Sequence, residues 1–132
     1  MTPGPFINVT NHPSAEWGAE QRATALKLGS PIIDVPFPRV DPLATEAQVA
    51  DEARRVFERV LSEQSSAVAV QGEHTFALYL VALLLRAGID CYAATTAREV
   101  EVAGDMKMSR FAFQQWRRYA LPPTANDRSD RP

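Results

Sequence analysis

Residues 66–88 read SAVAVQGEHTFALYLVALLLRAG, and this stretch decides the fold. An apolar run of strand length stops at Gln71. Five polar or small residues follow, Gln71-Gly72-Glu73-His74-Thr75, and then a longer apolar run closes at Gly88. The first run, 66–71, is predicted as a strand apolar enough to lie inside a sheet. The second, 74–87, has the length of a helix and almost no polar face, so it must be covered on more than one side. One side packs on the sheet, and a second subunit is a candidate for the other. A plain turn would need only the glycine. Glu73 or Thr75 can cap the helix, and the whole stretch can also form a binding loop.

Working outward, the same alternation repeats. "PFINVT" (5–10) is a short strand, and Ser14 is a candidate N-cap for a helix over 15–28 that ends at Gly29. Gly18 weakens that helix, since an interior glycine costs about 1 kcal/mol. "PIIDVPF" (31–37) is a second strand. Thr45 and Gln48 form a capping box, and Val49, Ala53, Val56, Phe57, Val60 and Leu61 recur at helical spacing over 46–63. "IDCYAATT" (89–96) is a fourth strand. Strands alternating with helices predict an α/β fold, Rossmann-like, with a mostly parallel sheet and flanking helices. "REVEV" and "MKMSRFAF" then alternate with period two. A loop of Ala103-Gly104-Asp105 would pair Val102 with Met106, Val100 with Met108 and Glu101 with Lys107, giving a C-terminal antiparallel β-hairpin. Residues 1–120 are expected to form one domain, and 121–132 have the composition of a disordered tail.

Composition narrows the function. The chain has 132 residues, a net charge of −2 and one cysteine. The charge excludes bulk electrostatic attraction to DNA or to a membrane surface. The lone Cys91 excludes an internal disulfide and suits a reducing cytoplasm. No apolar run approaches the ~20 residues of a membrane span. There is no G-x-G-x-x-G, no P-loop and no nucleophile elbow, and the two histidines complete no metal-ligand cluster. No metal and no cofactor are expected.

Open α/β sheets bind ligands beyond the carboxyl ends of their strands, where strand order reverses. The loops expected there carry Thr10, Asn11, His12 and Ser14 after strand one, and Gln71 to Thr75 after strand three. Asp34 follows strand two, and Thr95, Thr96, Ala97, Arg98 and Glu99 follow strand four. Two helix starts would aim free N–H groups at the same crevice, which suits a phosphate or phosphodiester. Ser14, Glu73 and Thr75 have the alternative of capping alone. Downstream, Lys107, Arg110, Arg117 and Arg118 interleave with Phe111, Phe113, Trp116 and Tyr119. That mixture suits nucleotides held by charge and stacking, or an edge strand kept soluble by its charges.

The Asn-His after strand one, "VQGE" before the apolar helix, "ATTAR" after the next strand and the hairpin ending "FAFQQWRRY" occur in an order that resembles a known group. It is similar to the small single-domain CRISPR-associated proteins of the Csx type. These have a Rossmann-like fold related to the CARF sensor domains, and several are ring nucleases. The resemblance covers Phe6 to Tyr119, and the Gln-Gly pair and the Thr-Thr-x-Arg run are its most specific parts.

That resemblance implies a homodimer that binds a cyclic oligoadenylate, the second messenger of type III CRISPR antiviral defence, and cuts it without a metal. The ligand's ribose 2′-hydroxyl is then the nucleophile. The protein must bend the ring into line and balance the phosphate charge. Arg98 and Lys107 are the candidate charges, and Thr95, Thr96, Asn11 and Gln71 the candidate hydrogen-bonding groups. His12 or His74 is placed by position to move the proton. Thr10, Ser14, Gly72, Glu73, Thr75 and Arg110 complete the candidate binding set, with Gly72 letting backbone approach the ligand. The alternative is a sensor or sponge that binds the messenger without turnover.

Overall fold

The computed structural model describes residues 4–124. The expected tail over 121–132 lies outside the described residues from 125 onward. The elements run β1 (Phe6–Thr10), a single 3-10 turn (Ser14–Glu16), α1 (Ala19–Leu28), β2 (Ile32–Asp34), α2 (Glu46–Ser62), β3 (Ala67–Gln71), α3 (His74–Arg86), β4 (Asp90–Ala103) and β5 (Met106–Arg118). The sheet order is β2-β1-β3-β4-β5. The first four strands are parallel and β5 runs antiparallel to β4. This is the α/β sheet with a C-terminal hairpin that the alternating pattern predicted.

Side chains alternate across the sheet and build two cores. Ile7, Val9, Val68, Val70 and Cys91 point to the side where α2 and α3 lie, and Phe76, Leu80, Leu84, Ala53 and Val60 meet them there. Phe6, Ala67 and Ala69 point to the α1 side, against Ala25, Trp17, Tyr92 and Trp116. β1 and β3 are therefore covered on both faces over most of their length, which explains their largely apolar sequences.

The capping box at α2 is present as read: the Thr45 hydroxyl accepts from Gln48 N at 3.2 Å, and Gln48 Oε1 accepts from Thr45 N at 2.9 Å. Four expectations are corrected. The first helix starts at Ala19 with Gly18 as its N-cap, so Ser14 caps nothing and belongs to the 3-10 turn. Gly18 takes an extended φ/ψ there, which ends the turn and opens the helix. The apolar helix α3 finds its second cover in α2 of the same chain. Leu78 alone among its large apolar residues stays 72% exposed. Strand four does not end at Thr96. It continues unbroken to Ala103, so Thr95 to Glu99 form strand rather than loop.

The hairpin register also differs. Ala103 pairs Met106, Val102 pairs Lys107, Val100 pairs Ser109 and Glu99 pairs Arg110, around a two-residue Gly104-Asp105 turn. Gly104 has φ +63°, the conformation a tight hairpin turn demands of its first residue. Among the described residues no helix is long and apolar enough to cross a membrane.

Candidate ligand chamber at the switch point

The sheet order makes β1 and β3 neighbours while their connections leave toward opposite faces, so a crevice opens at their carboxyl ends. On the α1 side of this crevice the sheet changes chemistry. Its lower part is aromatic: Phe6, Trp17 and Trp116 lie with ring centroids 5.1–6.1 Å apart. Ala67 and Ala69 on β3 leave room for those rings. Its upper part is polar, with Asn8, Thr10 and Gln71 continuing the same row of side chains.

Asn8 is 1% exposed and is fully used. Its amide donates to His12 O at 2.9 Å and to Asp34 Oδ1 at 3.0 Å. Its Oδ1 accepts from the Thr10 hydroxyl at 2.7 Å. Thr10 has one proton, and the shorter contact claims it, so its oxygen is left to accept from His12 N at 3.2 Å. Asp34 Oδ2 accepts from Ser14 N at 3.2 Å, and Ser14 O accepts from Arg22. A buried asparagine thus fixes the loop after β1 and ties it to the end of β2. Asp34 and Ser14 serve that purpose here.

Gln71 works as an extra rung of the sheet. Its Nε2 donates to Ala94 O at 3.1 Å and its Oε1 accepts from Ala94 N at 2.9 Å. Backbone pairing between β3 and β4 reaches only Tyr92, so Gln71 clamps β4 one step further. One amide proton remains for a ligand. Beyond it, a β-bulge inserts Gln114 between Gln115, which faces Thr95, and Phe113, which faces Thr96. The bulge shifts the parity of β5, so Trp116, Phe113 and Phe111 all reach the chamber face. The Thr95 hydroxyl closes the gap, donating to Gln115 O and accepting from Gln115 N, both at 3.2 Å.

The result is a chamber of about 520 Å³. Thr10 and His12 come from the β1 loop, Glu16 and Trp17 from the 3-10 turn, and Gln21 from α1. Gln71, Ala94 and Thr96 form its floor, and Phe111, Phe113 and Trp116 its far wall. Trp116 Nε1 donates to Gln21 O at 3.2 Å, which locks that wall to α1. A larger groove of about 670 Å³ runs between α2 and α3, bordered by Asp51, Arg54, Leu78 and Arg86. It lies on the helical surface away from the strand ends. Convergent polar groups and aromatic walls favour the chamber as the site.

The other candidates fall elsewhere. Asn11 lines a neighbouring cavity of about 440 Å³ between the ends of β1 and β2. At Gly72 a Cβ would run into the Phe37 ring, so packing alone is enough to exclude a side chain there. Glu73 caps α3, accepting from Phe76 N at 2.8 Å and from the Thr75 hydroxyl. The Thr75 bond, then the Phe76 N–H, holds the Glu73 carboxyl below its usual range. His74 is exposed at the start of α3 and does not line the chamber, and Thr75 lines a separate cavity beside α2.

Arg98 pairs with Phe111 on the chamber face and donates to Ser109 Oγ at 3.3 Å. Arg110 is on the opposite face, bound to Glu99 at 2.9 Å. Lys107 pairs with Val102, six residues along β4 from Thr96, or about 20 Å at the rise of a strand. The structure therefore brings His12, Thr10, Gln71 and Thr96 together, with Arg98 at the rim, and leaves His74 and Lys107 apart. Glu16, Trp17 and Gln21 were not singled out in the sequence. The Trp-Gly step at 17–18, where one turn stops and a helix starts, was the available signal. Among the described residues no group of three or more His, Cys, Asp or Glu could hold a metal ion.

A family model described as "Uncharacterized protein MJ1673 family" matches residues 5–117. No curated protein and no solved structure matches the chain.

Proposed function

The chain belongs to the MJ1673 family, and from its switch-point chamber we propose that it binds a cyclic oligoadenylate and opens the ring with the ligand's own 2′-hydroxyl. The observation that carries the reading is the convergence of aromatic walls and polar floor at the ends of β1 and β3. An adenine fits between such walls by stacking, worth about 1–3 kcal/mol per base. The spare Gln71 proton and the Thr96 hydroxyl supply hydrogen bonds at the floor. Arg98 at the rim balances phosphate charge.

In the reaction the 2′-oxygen bonds to phosphorus and the bond from phosphorus to the 5′-oxygen breaks. His12 takes the 2′-proton, and the departing 5′-oxygen takes a proton from water at the open mouth. The products are linear, with a 2′,3′-cyclic phosphate at one end and a 5′-hydroxyl at the other. The single buried thiol supports a cytoplasmic setting.

One observation favours a second reading, binding without turnover. No Lys or Arg lines the chamber itself, and Glu16 does. Incubation with cyclic tri-, tetra- and hexa-adenylate in excess chelator, followed by chromatography and mass analysis, separates the two. Linear products that vanish in His12→Ala and Arg98→Ala support cleavage. An intact ring that raises the melting temperature supports the binding module. No product and no shift with any ring overturns both.

A further inference from the structure

Beyond Thr96 and Phe113 the β4–β5 hairpin leaves the body as a free arm. Every residue from Thr96 to Phe111 is exposed, and the arm carries five large apolar side chains. Val100, Val102 and Phe111 share the chamber face with Arg98 and Lys107, whereas Met106 and Met108 lie behind. A two-stranded ribbon with no covered face is marginal in water. An apolar strip of this kind marks a contact surface.

The chamber has a matching deficiency. Its lining includes the Glu16 carboxylate and no cation, and the chain's own Lys107 stands about 20 Å along the arm, out of reach of its own chamber. We infer that two copies pack arm on arm, chamber face to chamber face and tip to root. Each then lays its Lys107 over the partner's chamber mouth, beside Glu16. The inference rests on the proposed ligand only for the purpose of that lysine.

The geometry follows from the arm's own length. A two-fold axis across the arm at the Glu99–Arg110 pair superimposes tip on root, because that pair stands three residues from both Thr96 and Val102. Val100 and Phe111 flank that axis on the chamber face and are covered by the other arm, and Lys107 arrives where Phe113 and Thr96 open onto the partner's chamber. The lysine meets the carboxylate residue of the lining, Glu16, and arrives two residues along β4 from Arg98 at the rim. A second copy is the occupant that covers the strip and completes the site in one step.

Cross-linking tests this without any ligand. Cys91 is buried and burial pushes its thiol up to about 12, so it stays silent. Lys107→Cys chains mixed with Glu16→Cys chains should form a cross-linked pair with a short bis-maleimide. Each variant alone should form almost none, because like positions sit at opposite ends of the dimer. Val100→Asp with Val102→Asp should abolish the cross-link and leave a folded monomer, judged by circular dichroism and sedimentation.

Absence of the mixed cross-link, or a wild-type chain that sediments as a monomer at every concentration, overturns the proposal, and another partner then covers the arm. Lys107→Ala should weaken cyclic oligoadenylate binding about tenfold, the loss of one charge-assisted contact. Cross-linking without binding of any ring sinks the ligand reading and keeps the dimer. Ring binding by a monomer does the reverse.

Discussion

β4 is one continuous strand with two different lives. At its root it pairs with β3 through Asp90 to Tyr92 and with β5 from Tyr92 onward, and Cys91 and Tyr92 reach two cores. From Thr96 to Ala103 it has one partner strand and both faces in water. The ladder to β5 is common to both halves, so that ladder cannot account for the difference. Burial does: Cys91 and Tyr92 are fixed by what packs on them, and Val100 and Val102 by nothing in their own chain. The root carries stability. The arm is available for contact.

The largest effect should therefore lie far from the arm. Phe76 is fully buried at the start of α3 and meets Phe37 edge to face at 5.0 Å. Phe76→Ala should cost about 3–5 kcal/mol in denaturant unfolding. A smaller loss would mean that the α2/α3 core relaxes into the cavity and is looser than its packing indicates.

Next comes Gly72. Gly72→Ala places a methyl against the Phe37 ring and should cost about 1–3 kcal/mol through overpacking. Pairing it with Phe37→Leu should return part of that loss. If Gly72→Ala is neutral in stability yet lowers ligand affinity, the glycine serves the ligand after all.

The Thr45–Gln48 cap and Gly72 show what sequence could and could not say. The capping box at Thr45 and Gln48 is a contact between residues three apart, and it was legible because the chain alone determines it. The β1/β3 crevice was legible because an alternating chain that winds in the common way makes strands one and three neighbours. The packing reason for Gly72 was not legible because it is Phe37, a contact only the fold creates. The arm's register was misread for a deeper cause. Register is enforced where a slip would bury polar side chains, and in an arm with no core every register leaves both faces wet. The sequence pattern had nothing to choose with, and the Gly104-Asp105 turn decided instead. The bulge at Gln114 has no local signature either: Phe111, Phe113 and Trp116 were legible as stacking candidates, but not that the bulge brings all three to one face.

The acid limb of stability offers a subtler contrast. The Glu73 carboxyl is held below its ordinary value by the Thr75 hydroxyl and the Phe76 N–H. A depressed folded pKa means the ionised cap stabilises fully above the unfolded value of 4.5, and that support is lost as pH falls through the lower folded value. Glu73→Gln should flatten the pH dependence of the melting temperature on that acid limb. An unchanged limb would show that the cap bonds are absent in solution. The Glu99–Arg110 pair on the arm, 2.9 Å apart, is substantially exposed, where screening leaves an ion pair worth little.

The smallest expected change in stability is at Phe111, and it bears most directly on the contrast. Its ring is 72% exposed, so its removal opens no cavity in the monomer. Phe111→Ala should shift unfolding by no more than about 0.5 kcal/mol when the chain is dilute enough to be monomeric. Yet this ring lines the chamber and stands at the inferred two-fold contact. The same variant should then weaken ring binding and shift sedimentation toward the monomer. Stability and contact are separable only if an arm side chain can be removed at no cost to the fold. A large loss of stability in the dilute chain would show that the arm folds back on its own body and that the two halves of β4 are one unit after all.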